Sequence, residues 1–109
     1  MLRLDDRVTA LFCTETEAVT GALRAIRARG LRIPADVSLI GFDDSSWAAV
    51  MDPPLTMIEQ PMFALGRRAA EVLLDTIEPG DAPAEREEAT RHTLDTRFIP
   101  RDSVAPPSR

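Results

Sequence analysis

The run Val37-Ser38-Leu39-Ile40-Gly41-Phe42 carries no charge and ends abruptly in two carboxylates, Asp43 and Asp44. A strand that is apolar at almost every position must be covered on both faces, which is the habit of a parallel sheet flanked by helices. A second run of this kind, Val8 to Cys13, lies upstream and reads as a short buried strand. Between them, Thr14 is the expected N-cap, with Glu17 three residues on completing a capping box. The helix it opens runs to about Arg29. Val19, Ala22, Leu23 and Ile26 share one face, and Arg24 and Arg27 lie off it. Gly30 is the natural stop, because glycine accepts the left-handed C′ conformation. Leu31 to Pro34 is a connector. Strand, helix and strand within about 35 residues form a βαβ unit with a right-handed crossover.

Downstream, Trp47 to Met51 predicts one helical turn, broken at Asp52-Pro53-Pro54. Leu55 to Ile58 predicts a strand. Pro61 to Ile77 predicts a second long helix, with Leu65, Ala69, Val72, Leu73 and Thr76 at helical spacing. Glu78 to Thr90 reads as a solvated loop, Thr93 to Ile99 as a half-buried strand, and Pro100 to Arg109 as a tail. At 109 residues the chain suits one small domain. The predicted class is α/β, a parallel sheet with flanking helices.

Composition excludes several functions. The net charge is −5, and the segment from Glu78 to Thr90 holds five acids against one arginine, leaving the rest nearly neutral. Nucleic acid calls for a basic face, so the chain alone is not expected to bind DNA. The single cysteine, Cys13, forms no internal disulfide and reads as a core thiol. His92, the single histidine, lies in a polar stretch, so neither a Cys–His catalytic pair nor a structural zinc site is expected. No cofactor is implied. No apolar run approaches the roughly 18 to 20 residues of a membrane span, and the charged start Met1-Leu2-Arg3-Leu4-Asp5-Asp6-Arg7 does not read as a signal peptide. The expected location is cytoplasmic.

In a parallel α/β sheet, ligands bind outside the carboxyl ends of the strands. Those ends here are Thr14-Glu15 and Phe42-Asp43-Asp44, which places Glu15, Asp43 and Asp44 at one edge. A carboxylate accepts two hydrogen bonds in a plane and so matches adjacent hydroxyls on a sugar. The competing reading makes both aspartates loop or cap devices. Neighbours in an extended chain point to opposite sides, which argues against a shared metal ion. Asp44-Ser45-Ser46 before Trp47 resembles a cap, so Asp43 is assigned to the ligand and Asp44 to structure. Gln60 and Met62 follow the third strand and are candidates for the same crevice, with core packing the alternative for Met62. Trp47 is read as a packing residue rather than a stacking platform.

Several blocks in register are similar to the LacI/GalR repressors: Gly21 through Asp44, Asp52-Pro53-Pro54-Leu55-Thr56, Gln60-Pro61, Leu65-Gly66-Arg67-Arg68-Ala69-Ala70 and Leu73-Leu74. The resemblance implies part of a type I periplasmic-binding-protein-like effector domain. Residues 1–59 would belong to its C-terminal subdomain, 60–90 would pack on the N-terminal subdomain, and 91–109 would hold the returning strand and tail. It also implies a sugar or polyol effector, with Asp43, Glu15, Gln60 and Met62 at the site. It implies a homodimer through Thr20, Leu23, Arg24, Val50 and Met51, and DNA contact only through an N-terminal helix-turn-helix that this chain lacks. Where the family commonly has Asn-Asp after the first strand, this chain has Glu15-Thr16. A fragment of a solute-binding protein for sugar transport shares the expected fold. An enzyme using Asp43 or Glu15 as acid or base lacks a second positioned group. Uncovered strand edges predict self-association of the chain.

Overall fold

The computed structural model describes residues 8–77 and 91–107. The charged start and the acidic segment from Glu78 to Thr90 lie outside the described residues. The elements are β1 (Ala10–Cys13), α1 (Thr16–Ala28), β2 (Ser38–Phe42), α2 (Ser46–Ala49), β3 (Thr56–Glu59), α3 (Met62–Ile77) and β4 (Arg97–Ile99). They fall into two compact units. One holds the described residues up to Gln60 together with those from Arg97 onward; the other holds those of Pro61–Thr96.

In the first unit the strands form one sheet in the order β1-β2-β3-β4. β1 pairs with β2 and β2 with β3 in parallel, as the apolar run of β2 requires. β4 runs antiparallel to β3, so the sheet is mixed rather than wholly parallel. One face meets α1. Val19, Leu23, Leu39, Ala48, Leu55 and Met57 form the core, with Leu11, Cys13, Trp47 and Met51 packed against it. Gly41 makes the close approach possible: a Cβ there would stand 2.9 Å from Val19 Cγ2 and 2.6 Å from Met57 Sδ.

α1 ends as expected. Gly30 has φ +67°, its N–H donates to Arg27 O at 2.9 Å, and the Leu31 N–H donates to Ile26 O at 3.1 Å, the two bonds of a Schellman cap. The start differs from expectation. Glu15, not Thr14, is the N-cap, and no side chain caps the helix.

β1 is not the buried strand its composition suggests. Leu11 and Cys13 turn to the core, but Ala10 and Phe12 face outward, Phe12 54% exposed. An apolar run shows what a strand needs on both faces, and among the described residues only one face is covered. β4 is shorter than expected, since only Arg97–Ile99 find a partner on β3, where Arg97 pairs with Glu59 at 2.7 Å. The expected tail is instead stitched into the sheet. Leu39 N–H donates to Ser103 O, Thr56 N–H donates to Ser103 Oγ at 2.8 Å, and Ser103 Oγ donates to Leu39 O. Ser103 is fully buried as a result.

In the second unit α3 buries no residue. Leu73 is 58% exposed. Helical periodicity identifies the apolar face but supplies no partner for it. Within its unit that face is met by His92 and Leu94, around an open groove of about 420 Å³.

Candidate functional site

Glu15 and Asp43 each lie two residues beyond the paired positions Cys13 and Gly41, so the parallel register sets them at the same carboxyl edge. Glu15 is exposed and its side chain caps nothing. Asp43 is half-buried with φ +79°, the one non-glycine described residue in the left-handed region. Aspartate tolerates that region better than most residues, yet it remains a strained choice. The strain is offset by two backbone bonds to one acceptor: the N–H groups of Asp43 and Asp44 both donate to Ile58 O, at 2.7 and 3.2 Å.

Neighbouring carboxylates then have different fates. Asp43 accepts one long bond, from Gln60 Nε2 at 3.4 Å, and has no ion pair among the described residues. Asp44 is gripped on both oxygens by the Arg101 guanidinium at 2.7 and 2.8 Å, with both side chains largely buried. Arg101 also donates to Leu55 O at 2.8 Å. The bidentate bond from Arg101 holds the Asp44 carboxyl below the usual aspartate range, and Asp44 in turn raises the Arg101 guanidinium above its ordinary value. Asp44 is therefore structural, but as half of an ion pair rather than as a cap. Ser45 is the N-cap of α2 without a side-chain bond, and its buried Oγ has no partner.

The structure thus joins Gln60 to Asp43 and sets Glu15 at the same edge. Met62 belongs to the other unit, where it is 59% exposed. Trp47 packs against the core. Of the residues assigned to the dimer face, Val50 is 82% exposed and Arg24 is exposed, Thr20 Oγ1 donates to Thr16 O, and Leu23 is part of the core. Leu23 and Met51 also line a groove of about 420 Å³ with Ile26, Arg27, Pro53 and Leu55. Arg101 was not legible as a site neighbour, because its partner lies 57 residues away and nothing local marks the pairing. No cluster of three or more His, Cys, Asp or Glu among the described residues is placed to hold a metal ion. Nor is any described helix long and apolar enough to cross a membrane.

Residues 1–104 match the family described as periplasmic binding protein-like domain. The chain belongs to that family. Its curated relatives include the HTH-type transcriptional repressor PurR of Aliivibrio salmonicida, 43% identical over 77 residues, 71% of this chain and 23% of the relative. The chain therefore spans about a quarter of the length of such relatives. Among solved structures, a LacI family transcriptional regulator from Enterococcus faecium with bound ribose superposes with a TM-score of 0.73 at 33% identity, covering 96% of this chain and 37% of that one. A dimeric Lac repressor with an 11-residue C-terminal deletion gives 0.72 at 29% identity, covering 92% and 35%. The periplasmic-binding-protein-like domain thus comes with relatives that are named as transcriptional repressors, not enzymes.

Proposed function

We propose that this chain is the effector-sensing and dimer-forming portion of a sugar-responsive, DNA-binding transcription regulator, with Asp43 receiving effector hydroxyls. The observation that carries the proposal is the contrast at the sheet edge. Of two adjacent acids, one is consumed by Arg101, while the other is held in a strained conformation with no ion pair among the described residues. Strain of that kind concentrates at functional sites. Gln60 supports the carboxylate, and Glu15 adds a second acceptor at the same edge. Residues 1–59 act as the C-terminal effector subdomain, 60–90 as the part that packs on the N-terminal subdomain, and 91–109 as the returning segment. DNA would be bound only by a helix-turn-helix outside this chain.

The ribose-bound relative supports a polyol effector. Calorimetric titration with a panel of pentoses, hexoses and disaccharides tests the proposal. One panel member is expected to bind, and Asp43→Asn to weaken it about tenfold or more, the loss of one charge-assisted bond. Unchanged affinity in Asp43→Asn would overturn the assignment. For self-association, Thr20, Leu23, Arg24, Val50 and Met51 form the proposed face, with exposed Val50 beside the groove residue Met51. Val50→Asp is expected to shift the protein toward monomer in sedimentation velocity.

A further inference from the structure

We propose that the Arg101–Asp44 pair is a positioning device that holds Asp43 in its left-handed conformation. This rests on the reading of Asp43 as the effector carboxylate. Three observations carry it. Asp43 is the non-glycine described residue with positive φ, so the relaxed state of this loop is a different one. The following residue, Asp44, is fixed through both carboxylate oxygens to a guanidinium that is itself tied to Leu55 O. Arg101 in turn is anchored by its own backbone: its N–H donates to Thr56 Oγ1 at 3.0 Å and its carbonyl accepts from the same hydroxyl at 3.1 Å.

The result is a closed set of contacts around Asp43. Its own amide and that of Asp44 reach Ile58 O on β3, the Asp44 side chain reaches Arg101, and Arg101 reaches the chain on either side of the start of β3. Breaking the ion pair leaves the two amide bonds and the long Gln60 contact to oppose the backbone preference of a non-glycine residue. The pair also keeps the Arg101 guanidinium engaged with Asp44, so the Asp43 carboxylate stays available as an acceptor. Arg101 is accordingly a positioning residue, acting through Asp44.

Amide hydrogen exchange on the whole chain tests this. Arg101→Gln is expected to lower protection of the Asp44 amide about tenfold relative to the amides of α1. Glycine accepts positive φ without strain, so in an Asp43→Gly background the same change is expected to cost less than about threefold. Equal losses in the two backgrounds, or no loss in Arg101→Gln, would overturn the proposal, since a merely structural ion pair has no reason to depend on residue 43. If Arg101→Gln loosens α1 as well, Arg101→Lys keeps the charge without the fork, and a smaller loss is expected, again rescued by Asp43→Gly. Calorimetry with D-ribose on the Arg101 variants separates the two readings. A dependent exchange cycle with weakened ribose binding supports both. A dependent cycle with unchanged ribose binding keeps the positioning device but removes the effector role. Independent cycles remove the device whatever ribose does.

Discussion

α1 and α3 are both amphipathic, both charged on their outer faces, and similar in length, yet their environments differ. α1 buries Val19, Leu23 and Ile26, the first two in one core with Leu39 and Met57 of the sheet, and Gly41 is small so that Val19 can approach. α3 buries nothing, and Leu65, Leu73, Leu74 and Ile77 are all substantially exposed. Pattern alone does not separate the two cases. What separates them is whether a strand lies in the same unit for the apolar face to meet. The helix whose partners are local has its packing complete, whereas the other presents a face with His92 and Leu94 along it among the described residues.

The largest effect that sharpens this contrast is Ile26→Ala in α1, where truncating a fully buried side chain should cost about 2–5 kcal/mol in urea denaturation. Next comes the ion pair on the C-terminal segment. Arg101→Gln leaves a largely buried carboxylate without its cation and should cost about 1–3 kcal/mol. Its pH dependence has a definite sign. The folded-state pKa of Asp44 is depressed, so the stabilisation is present above the unfolded value of about 3.9 and is lost as pH falls through the lower folded value. Denaturation midpoints followed from pH 6 downward should therefore fall less steeply in Arg101→Gln than in the wild type. Ser103→Ala removes a hydroxyl that serves both Leu39 O and the Thr56 N–H, and should cost about 1–2 kcal/mol. The smallest effect should be Leu73→Ala in α3, below about 0.5 kcal/mol by the same assay, as for an exposed position. A cost comparable to that of Ile26→Ala would break the comparison and show that α3 is packed in solution.

Much of the first unit was legible in the residues. The uncharged run of β2 required neighbours in parallel, Gly30 required the left-handed stop, and chain order required Glu15 and Asp43 to share an edge. What was not legible depended on distant partners. Thr14 and Glu17 have the spacing of a capping box, but the helix begins two residues later, so the box does not close. Pro100 to Arg109 has the composition of a tail, but the hydroxyls of Ser38, Thr56 and Ser103, bonded across 45 to 67 residues, and the Leu39 N–H bond to Ser103 O make it part of the sheet. Asp44 reads as a cap in the sequence, whereas its partner is Arg101, 57 residues away, which nothing local marks.

The account turns on where a polyol docks. The most direct measurement is the change in backbone amide shifts on titrating the protein with D-ribose and related sugars. The account predicts that the bound sugar moves the amides of Glu15, Asp43, Asp44 and Gln60 and that Asp43→Asn moves the midpoint of those changes about tenfold or more to higher sugar. Shifts confined to the groove of Leu23, Ile26 and Met51 or to α3, or shifts at the sheet edge whose midpoint is unchanged in Asp43→Asn, would contradict it.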